Sequence, residues 1–478
     1  MYWLRERVHL TWHVSAIALG FIAGVALALV WLVSPVLALI AGMVLCSVAL
    51  WRQRRMLIIL AFIGGSLLGL ARGAVAQGDF AQYRSYYGKT VTVQAIVADD
   101  VTAASRGTRL PLRAVLLNGE RLNGSIFATV TGAEKVRRSD TVTIHGVIDS
   151  GFGGYTATMT GDVTDIDRPV PGDVPLEVRD TFAQNIRQII GEPAASLGVG
   201  YLLGQKSALP NDLIEAMKIA GLTHIVVASG YNLTILVRIG RRLFAKTSKY
   251  LAMITGVGMI VGFIAMTGLS PSMTRAGLVA GLSLWAWYYG RTFHPITLLA
   301  IAAAATVVVN PAYVWGDLGW LLSFAAFAGV MIIAPIVTAY FYGEEKVPFV
   351  GQLLIETVAA QIATLPIMIV AFHQLSVIAP LANLLILPLI PLIMLIVASG
   401  GLVQFVLPVV GQWIGWVGEQ LLTVQIAIVQ WCASFDWALV TPTWTWVGAV
   451  SYCAVVAACV VYMKYRSGYK LYTASIVE

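Results

Sequence analysis

Residues 56–97 read MLIILAFIGGSLLGLARGAVAQGDFAQYRSYYGKTVTVQAIV and contain the change of pattern that decides the fold. The apolar run of residues 56–74 has about the length that a helix needs to cross a hydrocarbon core about 30 Å thick. From residue 90 onward, apolar and polar residues alternate, as they do in a strand with one buried face. The sequence therefore predicts a membrane helix followed closely by a β-domain.

The composition of the whole chain indicates an integral membrane protein. Of its 478 residues, 58% are hydrophobic and 12% are charged, whereas soluble domains carry about 25% charged residues. This excludes a soluble enzyme, a disordered protein and a secreted domain held together by disulfides. All four cysteines lie in apolar runs and none has metal-ligand spacing, so we expect neither disulfides nor zinc.

Three apolar runs open the chain, at residues 12–33, 35–50 and 56–74. Short basic clusters flank the apolar runs and indicate cytoplasmic loops, because loops on that side carry the excess of lysine and arginine. These clusters are Arg5/Arg7, Arg52/Arg54/Arg55, Arg238/Arg241/Arg242 and Lys464/Arg466/Lys470. The third helix should therefore deliver the chain to the outer side, and both termini should be cytoplasmic.

Between residues 79 and 167 the apolar runs stop and five short alternating stretches appear. Turn signals separate them, including Asn118-Gly119 and the glycine-rich residues 151–154. Five short strands are typical of a small closed barrel, and the OB-fold is the commonest candidate. We expect this barrel to be extracytoplasmic.

Apolar runs resume after the proline-rich linker at residues 168–172 and suggest nine further crossings. The predicted fold is a polytopic α-helical membrane protein of about 12 transmembrane helices with an inserted, extracytoplasmic, five-stranded OB-fold-like β-barrel. The predicted domains are an N-terminal three-helix segment (1–78), the OB-like domain (79–170) and a polytopic channel domain (171–478).

Polar residues inside membrane spans are costly and are therefore candidates for function. His224, Ser229 and Asn232 fall on one side of a helix at about 100° per residue, and Gly230 beside them favours a local break. They could line a wet face. The alternative is that they join neighbouring helices by hydrogen bonds.

Further polar candidates follow along the chain. They are Arg275, Asp317, Ser323, Gln361, Thr364, His373 and Asn383. Arg275 and Asp317 are both predicted near the outer side and could form an ion pair. Gln361 and Thr364 belong to a polar stripe whose alternative role is helix packing. Pro380, Pro388 and Pro391 predict a broken or re-entrant helix, because proline lacks a backbone donor.

The sequence contains no catalytic constellation, no metal motif and no phosphate-binding loop, so no cofactor is expected. An intramembrane hydrolase that used His224 and Ser229 would lack a carboxylate to orient the histidine. A small-molecule permease is the stronger alternative to a channel, although the two halves of the helical region show no inverted repeat.

The chain resembles the ComEC competence-protein family in four blocks that occur in family order. Residues 221–233 resemble a Gly-Leu-x-His stretch followed by Ser-Gly-Leu-His, with Tyr231-Asn232 in place of Leu-His. The other blocks are Arg275-Ala276, Gly319–Phe324 and Ser376–Asn383. The resemblance implies an inner-membrane channel that brings single-stranded DNA into the cytoplasm of naturally transformable bacteria.

The resemblance also implies partners: single-stranded DNA, membrane lipid, a membrane DNA receptor, a cytoplasmic DNA translocase and, where one is used, a separate nuclease. Family members often carry a C-terminal metallo-β-lactamase-like domain, whose metal motif this sequence lacks. The isolated hydroxyl, amide and cationic groups named above would line the DNA path. On the OB-like domain we predict DNA contacts at Arg109, Arg113, Phe127, Arg137 and Arg138. Arg109 and Arg113 should lie on the face opposite Leu110, Leu112 and Leu116.

Overall fold

The computed structural model describes residues 8–31, 33–104, 107–133, 135–205, 209–226, 230–268, 271–290 and 294–469. These residues form two compact units. The first contains residues 1–173, 268–270 and 296–321, and the second contains residues 174–267, 271–295 and 322–478.

The first unit begins with three apolar helices. They are α1 (Leu10–Leu27), α2 (Pro35–Arg52) and α3 (Leu57–Arg84). Helices α1 and α3 pack at backbone distance: a Cβ added at Gly24 would lie 2.0 Å from the Ser66 carbonyl oxygen, and one added at Gly69 would lie 2.0 Å from that of Phe21. The glycines thus allow a close approach that is typical of small-residue contacts between membrane helices.

The strands of the first unit follow α3. They are β1 (Thr90–Val97), β2 (Thr102–Ala104), β3 (Gly107–Leu117), β4 (Glu120–Arg121), β5 (Ile126–Thr131), β6 (Thr141–Ser150) and β7 (Ala157–Asp167). Strand β1 pairs with β6 and β3, β3 with β5, β5 with β7 and β7 with β6, so the pairings of these five strands form a closed cycle. The β5–β7 pair is parallel and the other four are antiparallel. The inward side chains form one apolar core.

The helices after β7 range from 4 to 26 residues in length. They are α4 (Val174–Ile189), α5 (Ala194–Leu203), α6 (Asn211–Ile219), α7 (Thr223–Val226), α8 (Gly230–Phe244), α9 (Lys249–Thr267), α10 (Pro271–Tyr288), α11 (Pro295–Val309), α12 (Ala312–Gly316), α13 (Leu318–Ala328), α14 (Ala334–Tyr342), α15 (Phe349–Ile367), α16 (Ala379–Ile386), α17 (Ile390–Gln404), α18 (Pro408–Ala433) and α19 (Trp446–Ser467). The π-helical turns Gly329–Ile333 and Met368–Phe372 extend α13 and α15, and a two-stranded sheet pairs β8 (Leu375–Ser376) with β9 (Leu439–Val440).

Within the described residues, seven helical stretches are long and apolar enough to cross a membrane, or eight if one bent pair counts as a single span. They confirm a polytopic helical membrane protein, while the count of about 12 crossings stays a prediction. The bent pair is α16 and α17, which meet at 46°. This confirms the break predicted from Pro380, Pro388 and Pro391.

Candidate functional site

In the second unit, Gly221 brings the first family-like block against the fourth. Its φ of 71° lies in the left-handed region, and an added Cβ would come within 2.6 Å of the Ala379 Cβ and 3.0 Å of the Ser376 Oγ. Only glycine fits such a close approach without displacing its neighbours. The turn between α6 and α7 is therefore held directly against the start of α16.

Ser376 and Gln361 connect this turn to α15. The Ser376 hydroxyl donates to the Ile219 carbonyl at 2.7 Å, and the Gln361 Nε2 donates to the Ser376 carbonyl at 2.9 Å. Ile219 is the last residue of α6, where helix carbonyls lack intrahelical donors. The two hydrogen bonds satisfy partly buried carbonyls at a junction of three chain segments.

His224 lies on α7 beside this junction, with an exposed side chain and its Nδ1 3.1 Å from the Gly221 carbonyl oxygen. Asn232 differs, because its side chain is fully buried and its Nδ2 donates to the carbonyls of Tyr201 (3.0 Å) and Ile225 (3.3 Å). The sequence-based expectation of one wet face shared by His224 and Asn232 is wrong for Asn232, which ties α8 to α5 and α7. Ser229 lies outside the described residues.

Gly230 joins the first block to the second. A Cβ at this position would lie 3.1 Å from the Ala276 Cβ and 3.7 Å from the Phe327 Cζ, so α8 passes closely by α10 and α13. Arg275, next to Ala276, is buried with 3% exposure. Ser323 is half-buried and lies one turn before Phe327 on α13.

The remaining candidates of the second unit have different environments. The Thr364 hydroxyl donates within its own helix to the Ala360 carbonyl at 3.0 Å. His373 is exposed and ends the π-helical turn in the left-handed conformation, with a φ of 53°. Asn383 is buried in α16 with 6% exposure.

Asp317 belongs to the first unit and has a local structural role there. Its Oδ1 accepts a hydrogen bond from the Trp320 backbone N–H at 2.6 Å, so it caps the first turn of α13. The β6–β7 loop lies beside it, because a Cβ added at Gly154 would lie 3.2 Å from the Asp317 Oδ2. The Asn310 Nδ2 also donates to the Gly154 carbonyl at 2.9 Å. The polar residues after α11 therefore hold the glycine-rich loop of the β-domain.

Four of the five predicted contacts on the β-domain lie where a ligand could reach at least part of the side chain. Arg109, Arg113 and Arg137 are exposed, and Phe127 is half-buried. Arg138 is different: it has 6% exposure and forms a two-pronged ion pair with Asp173 at 2.8 and 3.1 Å. The predicted DNA contact at Arg138 is thus contradicted by its burial against a carboxylate.

A β-bulge corrects one detail of strand β3. The register of β1 against β3 shifts between Gln94 and Ile96, and Ala114 has a φ of 52°. The extra residue reverses the alternation after Arg113, so Val115 is buried and Leu116 is on the outer side with Arg113. Leu116 had been expected on the inner face.

Sequence reasoning missed two aromatic residues in the β6–β7 loop. Phe152, which is 56% exposed, and Tyr155 surround Phe127, with ring centroids 5.3 and 5.0 Å from it. Burial raises the pKa of Tyr155 to about 12, with further contributions from Asp99 and Asp317, so its hydroxyl stays neutral at physiological pH. The glycine-rich turn signal hid these residues, since it indicated a loop and gave no sign of its contacts.

Comparison with known protein families identifies the family to which the chain belongs. Residues 201–466, more than half of the chain, match the sequence profile of the Competence protein family. The chain belongs to this family. The family-like blocks from Gly221 to Asn383 all lie inside the matched region, which confirms the resemblance found in the sequence.

Two curated relatives are similar to part of the chain. A stretch of 206 residues is 25% identical to ComE operon protein 3 of Bacillus subtilis (strain 168), and covers 41% of this chain and 25% of that protein. A stretch of 224 residues is 27% identical to competence protein ComA of Neisseria gonorrhoeae, and covers 44% of this chain and 31% of that protein. The matches thus span about a quarter to a third of each relative's length. No solved structure matches the chain significantly.

Proposed function

We propose that this competence-family protein forms the inner-membrane path by which single-stranded DNA enters the cytoplasm during natural transformation. The observation that carries the proposal is the junction of Gly221, His224, Gln361 and Ser376. There, two interrupted helical segments meet beside an exposed histidine. Broken helices that line a polar path are a recurrent device of membrane transport proteins.

The charge of the substrate explains why such a lining suits it. A DNA strand carries one negative charge per nucleotide, so a conduit through a low-dielectric slab needs hydrogen-bond donors and few fixed charges that would stall the strand. His224 and His373 offer exposed rings whose nitrogens can donate or accept hydrogen bonds. By the same proposal the DNA receptor and the DNA translocase are separate proteins.

We also propose the finer architecture: about 12 crossings, both termini in the cytoplasm and an extracytoplasmic OB-like barrel. The closed cycle of five paired strands supports the barrel, as does the parallel pairing of the third long strand with the fifth. A cysteine in place of the exposed Glu120 should react with an impermeant maleimide in intact cells, while one in place of Arg52 should react only after lysis. The native cysteines are replaced first. The reverse pattern would overturn the topology.

The experiment that tests the function uses a transformable host in which this gene is deleted and then restored. The deletion should abolish entry of labelled DNA, and Ser376→Ala should lower entry per molecule of protein. Ser399→Ala is the matched control, because the Ser399 hydroxyl donates within its own helix to the Ile396 carbonyl. Normal DNA entry in the deletion strain would refute the channel. Loss of a small solute's uptake instead would favour a permease.

A further inference from the structure

The β6–β7 loop carries a fixed cluster of aromatic rings at the surface of the β-domain. Phe152 and Tyr155 of this loop surround Phe127 of β5, and the three ring centroids lie 5.0 to 5.8 Å apart. Phe152 is 56% exposed, and the other two residues are only partly buried. Single exposed apolar side chains are common on proteins, but a cluster of rings held at one place indicates a contact surface. We call these three residues the loop aromatic cluster.

The loop is held against the turn that follows α11. The Asn310 Nδ2 donates to the Gly154 carbonyl at 2.9 Å. A Cβ added at Gly154 would lie 2.9 Å from the Tyr313 Cε1 of α12, so the loop backbone packs directly on this ring. The depth of the loop aromatic cluster relative to the membrane is therefore set by the end of α11.

The end of α11 lies near the boundary of the hydrocarbon core. The Arg72 side chain on α3 donates to the carbonyls of Val308 and Val309, the last two residues of α11. Basic residues precede Leu57, so α3 enters the core there, and Arg72 lies about 22 Å along the helix at 1.5 Å per residue. The core is about 30 Å thick. The end of α11 therefore lies within the bilayer on the side of the β-domain, and not above it.

The charges around the cluster have both signs. Burial raises the pKa of Tyr155, and Asp99 and Asp317 add to the rise, so both carboxylates lie within electrostatic range of its hydroxyl. Arg109 and Arg113 are exposed on the neighbouring strand β3. Carboxylates repel a polyanion or an anionic lipid, whereas a zwitterionic headgroup offers an ammonium group to the acids and a phosphate to the arginines. The surroundings of the cluster therefore suit a zwitterionic lipid.

We propose that the loop aromatic cluster inserts into the headgroup region of a zwitterionic bilayer, where lipid covers the Phe152 ring. Aromatic side chains favour this region, because it accommodates an apolar ring beside polar groups. The contact supplements the attachment of the β-domain through α3, whose Tyr83 is buried in the β-domain core. It keeps the loop and the adjoining outer face of β5 turned toward the membrane. The inference does not rest on the proposed function.

The test uses the full-length protein in phosphatidylcholine nanodiscs, with the native cysteines replaced and a nitrobenzoxadiazole label attached to Phe152→Cys. A phosphatidylcholine with a nitroxide on its headgroup should remove most of the fluorescence of the label, and aqueous iodide should remove little. Val309→Cys is the positive control, because Val309 is 75% exposed at the end of α11. Thr92→Cys is the negative control, since Thr92 is exposed on β1, two strands away from β5 in the closed cycle. Iodide should quench the label at Thr92→Cys, and the nitroxide lipid should not.

A second label keeps Phe152 in place and tests whether its ring makes the contact. It is attached to Ser150→Cys, since Ser150 is exposed at the end of β6 next to the loop. Quenching of this label by the nitroxide lipid should decrease in a Phe152→Asp background and persist in a Phe152→Trp background. Equal quenching in all backgrounds would overturn the proposal. So would quenching of the Phe152→Cys label by iodide in place of the lipid, or its protection from both quenchers, because water or protein would then cover the site.

Discussion

Tyr452 and Pro366 offer a sharp test of how the membrane helices of the second unit are held together. Proline at position 366 lacks a backbone N–H, so the carbonyl of Ile362, four residues earlier in α15, has no intrahelical donor. The Tyr452 hydroxyl on α19 donates to that carbonyl at 3.1 Å. The hydrogen bond between helices therefore replaces the one that proline removes.

Tyr452→Phe removes this donor and retains the ring, which contacts Trp444 at 5.3 Å. Hydrogen bonds between membrane helices contribute about 0.6 kcal/mol on average and up to about 1.7, and an orphaned carbonyl costs about 1 to 3 kcal/mol. We expect a loss of about 1 kcal/mol in the free energy of unfolding. In a Pro366→Ala background, the alanine N–H can donate to the Ile362 carbonyl. Tyr452→Phe should then leave the free energy of unfolding almost unchanged.

The measurement is a double-mutant cycle of reversible unfolding in mixed micelles titrated with a denaturing detergent. The cycle should give a coupling energy of about 1 kcal/mol between positions 366 and 452, because the two donors serve one acceptor. Tyr462→Phe is the control on the same helix, since its hydroxyl makes no hydrogen bond within the described residues. An equal cost of Tyr452→Phe in both backgrounds would refute the reasoning.

Three further predictions concern the first unit. Gly69→Leu should abolish the α1–α3 contact and leave little folded protein by size-exclusion fluorescence, while Gly78→Ala, with no atom within 4 Å of its added Cβ, should behave like the wild type. Arg138→Gln should lower the free energy of unfolding by about 3 to 5 kcal/mol in thermal or detergent unfolding, because Asp173 would keep a largely buried charge without its two-pronged partner. A loss below about 1 kcal/mol would contradict this prediction. In the same assay, Asp317→Ala should lower the free energy of unfolding by about 1 kcal/mol, and Asp317→Asn by a few tenths, because asparagine is also a good N-cap residue. Equal losses in the two variants would mean that the charge of Asp317 matters more than its capping hydrogen bond.

The β-domain shows which parts of the fold can be read from sequence. Period-two alternation around Val93 and Val142 predicted strands correctly, because each faces one apolar core. The same rule failed at Leu116, since one extra residue at Ala114 reverses the alternation and no local signal marks a bulge formed by alanine. Strand existence follows from local pattern, but register depends on the partner strand.

The candidate site was less accessible to sequence reasoning because it lies at interruptions of helices. A rotation of 100° per residue relates two side chains only along one continuous helix, and His224 and Asn232 belong to α7 and α8. The ion pair between Arg275 and Asp317 was expected only because both residues were predicted near the outer side of the membrane. Asp317 instead caps α13 inside the first unit, a role that depends on where the helix begins.

Many polar side chains of the apolar segments donate to backbone carbonyls that lack helical partners. Arg72 donates to the carbonyls of Val308 and Val309 at the end of α11, and the Ser376 hydroxyl donates to that of Ile219 at the end of α6. Because no water in a bilayer core can satisfy such carbonyls, a broken helix requires donors from its neighbours. A polar residue in a span is therefore often the consequence of a nearby break.

The candidates for contact with a translocated strand can be ranked by whether their side chains already donate to a backbone carbonyl at a helix break. Asn232 and Gln361 donate to carbonyls of other chain segments, so substituting them disturbs helix junctions before it affects any ligand. His224 and His373 are exposed beside the same junctions. A side chain that must contact a moving polymer cannot also be the donor on which the local backbone depends, so the two histidines are the stronger candidates for direct contact and the amides for the framework that positions them.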